Sequence, residues 1–265
     1  ELYFATSDFA RAIADGERVL ALARQVGDRT TEGAALAGMG WAATWAHDFD
    51  RAVVLSRQAI EVAEPIDAKS VLAGATFTIG FVHSVIGRLD EASAELDQVL
   101  TLSRSAGEPL YESFAIIYKA FFSNWHGEYA EALPAISESL RLSREHNLLV
   151  PLMFGLFCRA VTLTGKGDYD EALATFDEGL ALTEKAGDEV WHQRLLNGSG
   201  WLHIELGDLD PALDFNRRCS EGARKRGDHE TIANAEINLG DTFMAKGDPA
   251  LAREFLDGVH RLVKD

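Results

Sequence analysis

Apolar residues recur along this chain at three- and four-residue spacings, and turn-like segments cut the pattern twice in every 40 residues. Residues 168–186 show it well. Ala172, Leu173, Phe176, Leu180 and Leu182 fall on one side, and Asp170, Asp177, Glu178 and Glu184 on the other. That is an amphipathic helix with one buried stripe. No segment alternates like a strand with comparable strength. One set of turns starts at His47, Gly87, Gly127, Gly167, Gly207 and Gly247, each 40 residues after the last. An alanine follows at a fixed offset: Ala52, Ala92, Ala132, Ala172, Ala212 and Ala252, with Ala12 extending the series backwards. Gly27-Asp28, Gly107-Glu108, Gly187-Asp188 and Gly227-Asp228 share a second phase between them. Glycine ends a helix cheaply in a left-handed conformation, and the acid after it can cap the next helix. The spacing therefore predicts first helices near 30–46, 70–86, 109–126, 149–166, 189–206 and 229–246. Second helices are predicted near 8–26, 48–66, 88–106, 128–146, 168–186, 208–226 and 248–264.

This register resembles the tetratricopeptide repeat, whose first helix carries Trp-x2-Leu-Gly-x2-Tyr. The small residue after the leucine position is Gly40, Gly80, Ala120, Ala160, Gly200 and Gly240. The turn residue is Phe49, Leu89, Tyr129, Tyr169 and Leu209, and the large residue after the alanine is Leu96, Ile136, Phe176 and Leu256. The unit of 40 residues is longer than the usual 34. The resemblance implies an all-α, right-handed α-solenoid of antiparallel helix pairs. Residues 1–265 form one array: a partial repeat over 1–28, then units near 29–68, 69–108, 109–148, 149–188, 189–228 and 229–265. Tyr3 falls at the family's tyrosine position, so residues 1–5 read as the end of a first helix and the chain as a fragment of a longer protein. Departures cluster mid-array. Lys119, Arg159 and Ser199 replace the leucine, and His83 and His203 the tyrosine.

In this family the first helices line the concave surface. The residues brought there by register include Trp41, Trp45, Phe77, Phe81, Phe114, Ile117, Phe121, Trp125 and Phe157, then the polar Arg194, Asn197, Trp201 and Asn234. Each ring carries on the order of 150–250 Å². Half of that left open would exceed the apolar patch a soluble monomer tolerates. The stripe is thus either an occupied groove or core shared between long helices. Lys119 and Arg159 are candidate anion contacts, with Arg194, for a ligand carboxylate or phosphate. Otherwise their stems pack and their heads reach water or an acid such as Glu112.

Charge narrows the partner. A formal net charge of −17 argues against nucleic acid and against an acidic membrane surface. Cys158 and Cys219, 61 residues apart, form no ligand or disulfide pattern and read as buried thiols in a reducing, cytoplasmic setting. The apolar run from Leu148 to Cys158 is too short to span a bilayer. No His-Glu-x-x-His occurs, and Thr164-Gly165-Lys166-Gly167 lacks the first glycine and the final Ser or Thr of a phosphate loop. The acidic turns recur once per repeat, as caps do. His83 and His203 read as packing residues with one satisfied nitrogen. The expectation is a non-enzymatic segment, with no cofactor or metal, that binds a protein or peptide as scaffold or sensor within a larger bacterial regulator. A small-ligand sensor and a homo-oligomerisation module are the alternatives.

Overall fold

A computed structural model of the protein describes residues 9–264. Among them are thirteen α-helices and no strand: α1 (Phe9–Val26), α2 (Arg29–Trp45), α3 (Phe49–Ala63), α4 (Lys69–Val85), α5 (Leu89–Ala106), α6 (Pro109–Trp125), α7 (Tyr129–Glu145), α8 (Leu149–Lys166), α9 (Tyr169–Ala186), α10 (Glu189–Leu206), α11 (Leu209–Arg226), α12 (His229–Ala245) and α13 (Pro249–Lys264). The predicted bounds hold within two residues except at α3. There Pro65 has no N–H to give and its ring crowds the preceding turn. The helix stops at Ala63, a 3-10 turn covers Glu64–Ile66, and Asp67 takes a left-handed φ of 50°. Tyr3 and the rest of residues 1–5 lie outside the described residues.

Left-handed backbone occurs at positions 27, 47, 67 and so on to 247, every 20 residues. Glycine fills nine of these; His47, Asp67 and Asn147 fill the others. The conformational period is therefore half the chemical one. Asp28, Asp48, Asp188, Asp228 and Asp248 cap as expected, each accepting from the backbone N–H three residues on, at 2.9–3.2 Å. Asp168 and Asp208 make no such bond. Asp168 takes the Lys166 ammonium instead.

The small and large residues of the register explain the hairpin. The alanines from Ala52 to Ala252 are at most 1% exposed. At Gly40 a Cβ would lie 2.7 Å from Ser56 Oγ and 3.2 Å from Ala52 O, so nothing larger than glycine fits without displacement. Close approach there lets Leu96, Ile136 and Phe176 fill the space between helices, each at most 2% exposed. A fully buried side chain of this size contributes about 1.5–3 kcal/mol. Leu256 on α13 is the departure, at 42% exposed.

The helices fall into two compact units. The first comprises residues to Phe122 together with Arg141–Pro151, and the second Ser123–Leu140 with Leu152 onward. Core clusters sit inside each: Leu36, Met39, Ala59 and Val71 in the first, and Ala160, Leu163, Phe176, Leu195 and Leu202 in the second. One expectation needs amendment. The helix that carries the run, α8, reaches Lys166 past Arg159 and is long and apolar enough, by length and composition only, to cross a membrane. Its Met153, Phe154, Leu156, Cys158 and Leu163 are core side chains, at most 5% exposed.

Candidate functional site: the groove-facing register of the first helices

In the first unit the register builds a ladder of rings across α2, α4 and α6. Trp41 meets Trp45 edge-on at 5.6 Å, Phe77 at 5.6 Å and Phe81 at 5.3 Å. Phe77 continues to Phe114 at 5.2 Å and Tyr118 at 5.6 Å, and Phe81 also reaches Tyr118 at 5.6 Å. Each contact of this kind adds about 0.5–1.5 kcal/mol beyond burial. The ladder corrects two groove assignments. Phe77 is 2% exposed and Ile117 is 0% exposed, so both are core and offer no surface. Trp41, Trp45, Phe81, Phe114 and Phe121 are half-buried and keep one side open. The side chain of Trp125 lies outside the described residues. Tyr111 and Tyr118 were missed as members of the ladder. Their spacing from Phe114, three and four residues, is the signal that identifies them.

Lys119 and Arg159 each meet an acid of this chain. The Lys119 ammonium pairs with Asp97 on the preceding helix α5. Arg159 pairs with Glu171 on the following helix α9, at 3.6 Å. Glu112, the expected acid, takes Arg104 at 2.8 Å. The cleft beside Arg159, about 290 Å³, is also lined by Glu171 and Glu178, which would repel an anion. Each cation is thus matched by an acid on the helix adjacent in sequence.

In the second unit the same register turns polar. Phe157 is half-buried with its ring 6.2 Å from that of Trp191, which Phe154 meets at 5.1 Å. Arg194 lies 5.7 Å from the Trp191 ring centroid and pairs with Glu230 of α12 at 3.2 Å. Asn216 of α11 is fully buried and donates to the Ala212 carbonyl at 2.9 Å. Its Oδ1 accepts from Asn197 at 3.1 Å and from Asn238 at 3.2 Å. Asn238 also donates to the Asn197 carbonyl at 3.2 Å, which fixes the register of α12 beside α10. One turn further, Trp201 donates its indole N–H to Glu205 Oε1 at 3.1 Å. Asn234 is exposed.

Titrating groups follow their surroundings. Burial pushes the Cys219 thiol up to about 12 and raises Cys158 as well, so both thiols are inert at neutral pH. Burial raises Asp228, but the Thr231 hydroxyl and N–H, with Arg194 and Arg226, outweigh it and hold the carboxyl below its usual value. His83 meets the packing expectation, with Nδ1 2.9 Å from Glu95 Oε2. Burial lifts Glu95 despite that partner. His203 differs. Its ring stacks on Phe215 at 5.3 Å, but Nδ1 has no hydrogen-bond partner and Asp208 stays 3.7 Å away. Among the described residues, no three His, Cys, Asp or Glu side chains are placed to hold a metal ion.

Comparison with known proteins follows the same lines. Residues 152–225 match the family model for the tetratricopeptide repeat, and residues 43–160 that for anaphase-promoting complex subunit 5. Curated proteins give no match in sequence. Among solved structures, the chain is similar to the Rap conjugation gene regulator of the plasmid pLS20 in complex with the Phr* peptide. The TM-score is 0.82 at 15% identity, covering 99% of this chain and 71% of that one. It is also similar to a Rap protein complexed with competence and sporulation factor, with TM-score 0.79, 16% identity, and 99% and 72% covered. Aspartyl phosphate phosphatase F from Bacillus subtilis gives 0.77 at 13% identity, with 99% and 69% covered. At such identities the likeness is one of fold. The matched segment, the 40-residue register and the hairpins closed by Gly40 and its equivalents agree: residues 152–225 match tetratricopeptide repeats, and the described chain is an all-α array of antiparallel helix pairs.

Proposed function

We propose that this chain is the peptide-binding segment of a larger bacterial regulatory protein, working by binding and not by catalysis. The observation that carries this reading is the row of half-buried and exposed side chains along the groove-facing register. Trp41, Trp45, Phe81 and Phe114 in the first unit leave ring surface open, and Arg194, Asn197, Trp201 and Asn234 in the second leave polar surface open. Rings take apolar side chains, and amides can pair with the main chain of an extended peptide. The Phr* peptide in complex with one protein of similar fold supports the same reading. The polar groups are engaged with one another, as in the Asn197–Asn216–Asn238 set, and none is arranged as an acid–base pair around a cavity. Titration of random peptide pools, followed by tryptophan fluorescence, tests it. Trp41, Trp45 and Trp201 should report saturable binding. A spectrum unchanged by peptides but shifted by a small metabolite would overturn it in favour of a small-ligand sensor.

A further inference from the structure

His83 on α4 and His203 on α10 hold the same place in the register, in opposite surroundings. Near His83 stand Arg88, Glu91 and Glu95, with Glu95 Oε2 2.9 Å from Nδ1. The equivalent residues near His203 are Asp208, Pro211 and Phe215. The His203 ring lies flat on Phe215, and its buried Nδ1 has no hydrogen-bond partner. Asp208 Oδ2 waits 3.7 Å from that nitrogen, beyond hydrogen-bond reach. Asp208 is also idle as a cap. Its side chain makes no bond to the start of α11, whereas Asp28, Asp48, Asp188, Asp228 and Asp248 each bond to their own helix. An exposed carboxylate without a capping bond to lose thus stands beside an imidazole nitrogen that has none.

We infer that His203 and Asp208 are a proton-operated latch at the closed end of the α10–α11 hairpin. With the imidazole neutral and its proton on Nε2, a lone pair on Nδ1 faces the carboxylate and no bond forms. Protonation places an N–H on Nδ1, and rotation of the exposed Asp208 side chain closes the gap as an ion pair. His203 lies in the last turn of α10, where the helix dipole favours a cation. The groups around it do not oppose the charge. On α10, Glu205 accepts from the Trp201 N–H. On α11, Arg218 lies 5.7 Å from the Phe215 ring and is matched by Asp214 at 3.4 Å. Lys246, after α12, is taken by Asp210 at 2.6 Å, and Lys166 of α8 by Asp168. On α9 the register brings Asp170 and Asp177 to this end of the hairpin, Asp177 being the equivalent of Glu17, which meets Arg51 at the start of α3. Each of these cations has its own acid, so the field at His203 is left to acids.

The latch needs no peptide, so its test stands apart from peptide binding. Urea denaturation of the wild type, Asp208→Asn, His203→Phe and the double variant, at about pH 5.5 and about pH 8, forms a cycle that isolates the pair. A pair made by protonation stabilises below the ordinary imidazole value of about 6.5 and is lost as pH rises through the folded value. Near the lower pH, Asp208→Asn should reduce the folding equilibrium constant about two- to fivefold more with His203 present than in the His203→Phe background. Near the higher pH the two backgrounds should respond alike. Equal responses at both pH values, or the same excess at both, would overturn the latch. Nitrogen NMR of His203 decides independently, should His203→Phe fail to fold. Nδ1 should titrate at higher pH in the wild type than in Asp208→Asn, and coincident titrations would overturn the inference.

Discussion

The two units carry the same helical register and fill its groove-facing positions in opposite ways. In the first, Trp41 and Phe81 lie ring to ring, and Phe77 stands at the centre with Tyr111, Phe114 and Tyr118 around it. In the second, Asn197, Asn216 and Asn238 occupy the space between neighbouring helices, and Trp201 faces an acid in place of another ring. The backbone tolerates both because its spacing is set elsewhere. The alanine series and the small residues at Gly40, Gly80, Gly200 and Gly240 fix how near the helices come. What differs is how firmly the surface is committed. Rings that pack on rings gain from one another without a ligand. Amides and carboxylates at an edge are left with capacity that a partner can use.

That contrast can be broken most forcefully at Phe77. Truncation of Phe77 to Ala removes the ring that four others touch, in a site 2% exposed, and should cost about 3–5 kcal/mol in urea denaturation. A loss under ~1 kcal/mol would mean that the ladder is a surface feature. A smaller effect is expected at Asn216. Its replacement by Ala takes away the acceptor shared by Asn197 and Asn238 and should destabilise by about 1–3 kcal/mol. Binding in the peptide titration should weaken in parallel, since Asn197 would no longer be held.

The smallest effect concerns pH and compares two copies of one cap. Asp28 and Asp228 each accept from a threonine N–H and hydroxyl three residues on. Asp28 is held low by the Thr31 N–H and then the Thr31 hydroxyl, at an exposed site. Asp228 is half-buried, and there the threonine bonds and two arginines outweigh burial. A depressed folded-state pKa stabilises above the unfolded value, near 3.9, and the benefit is lost as pH falls through the folded value. Asp228→Asn should therefore cost about 1 kcal/mol at pH 7 and little once the pH is well below 3. Equal cost at both pH values would show that the charge of the carboxylate contributes nothing to the cap.

Most of the helix plan was legible in the sequence, because turn glycines and buried alanines are local requirements that recur at a fixed interval. The interval of left-handed residues was harder to see, since His47, Asp67 and Asn147 take glycine's place. The candidate site was legible only in part. Register alone put Phe77 and Phe81 on one face. Whether a ring ends up sealed or half-open depends on which neighbours reach over it, and Tyr111 and Tyr118 lie 34 and 37 residues beyond the rings they meet, Phe77 and Phe81. The same holds for Lys119 and Arg159. Their place in the register matched the family's leucine, but their acids, Asp97 and Glu171, lie on opposite chain neighbours.

By itself, then, the order of residues determined where helices start, stop and present small side chains, because those choices are made over a few bonds of backbone. Tertiary structure alone decided which rings, amides and charges consume one another. Such pairings join residues from separate helices, and their energies depend on distances that no local pattern encodes.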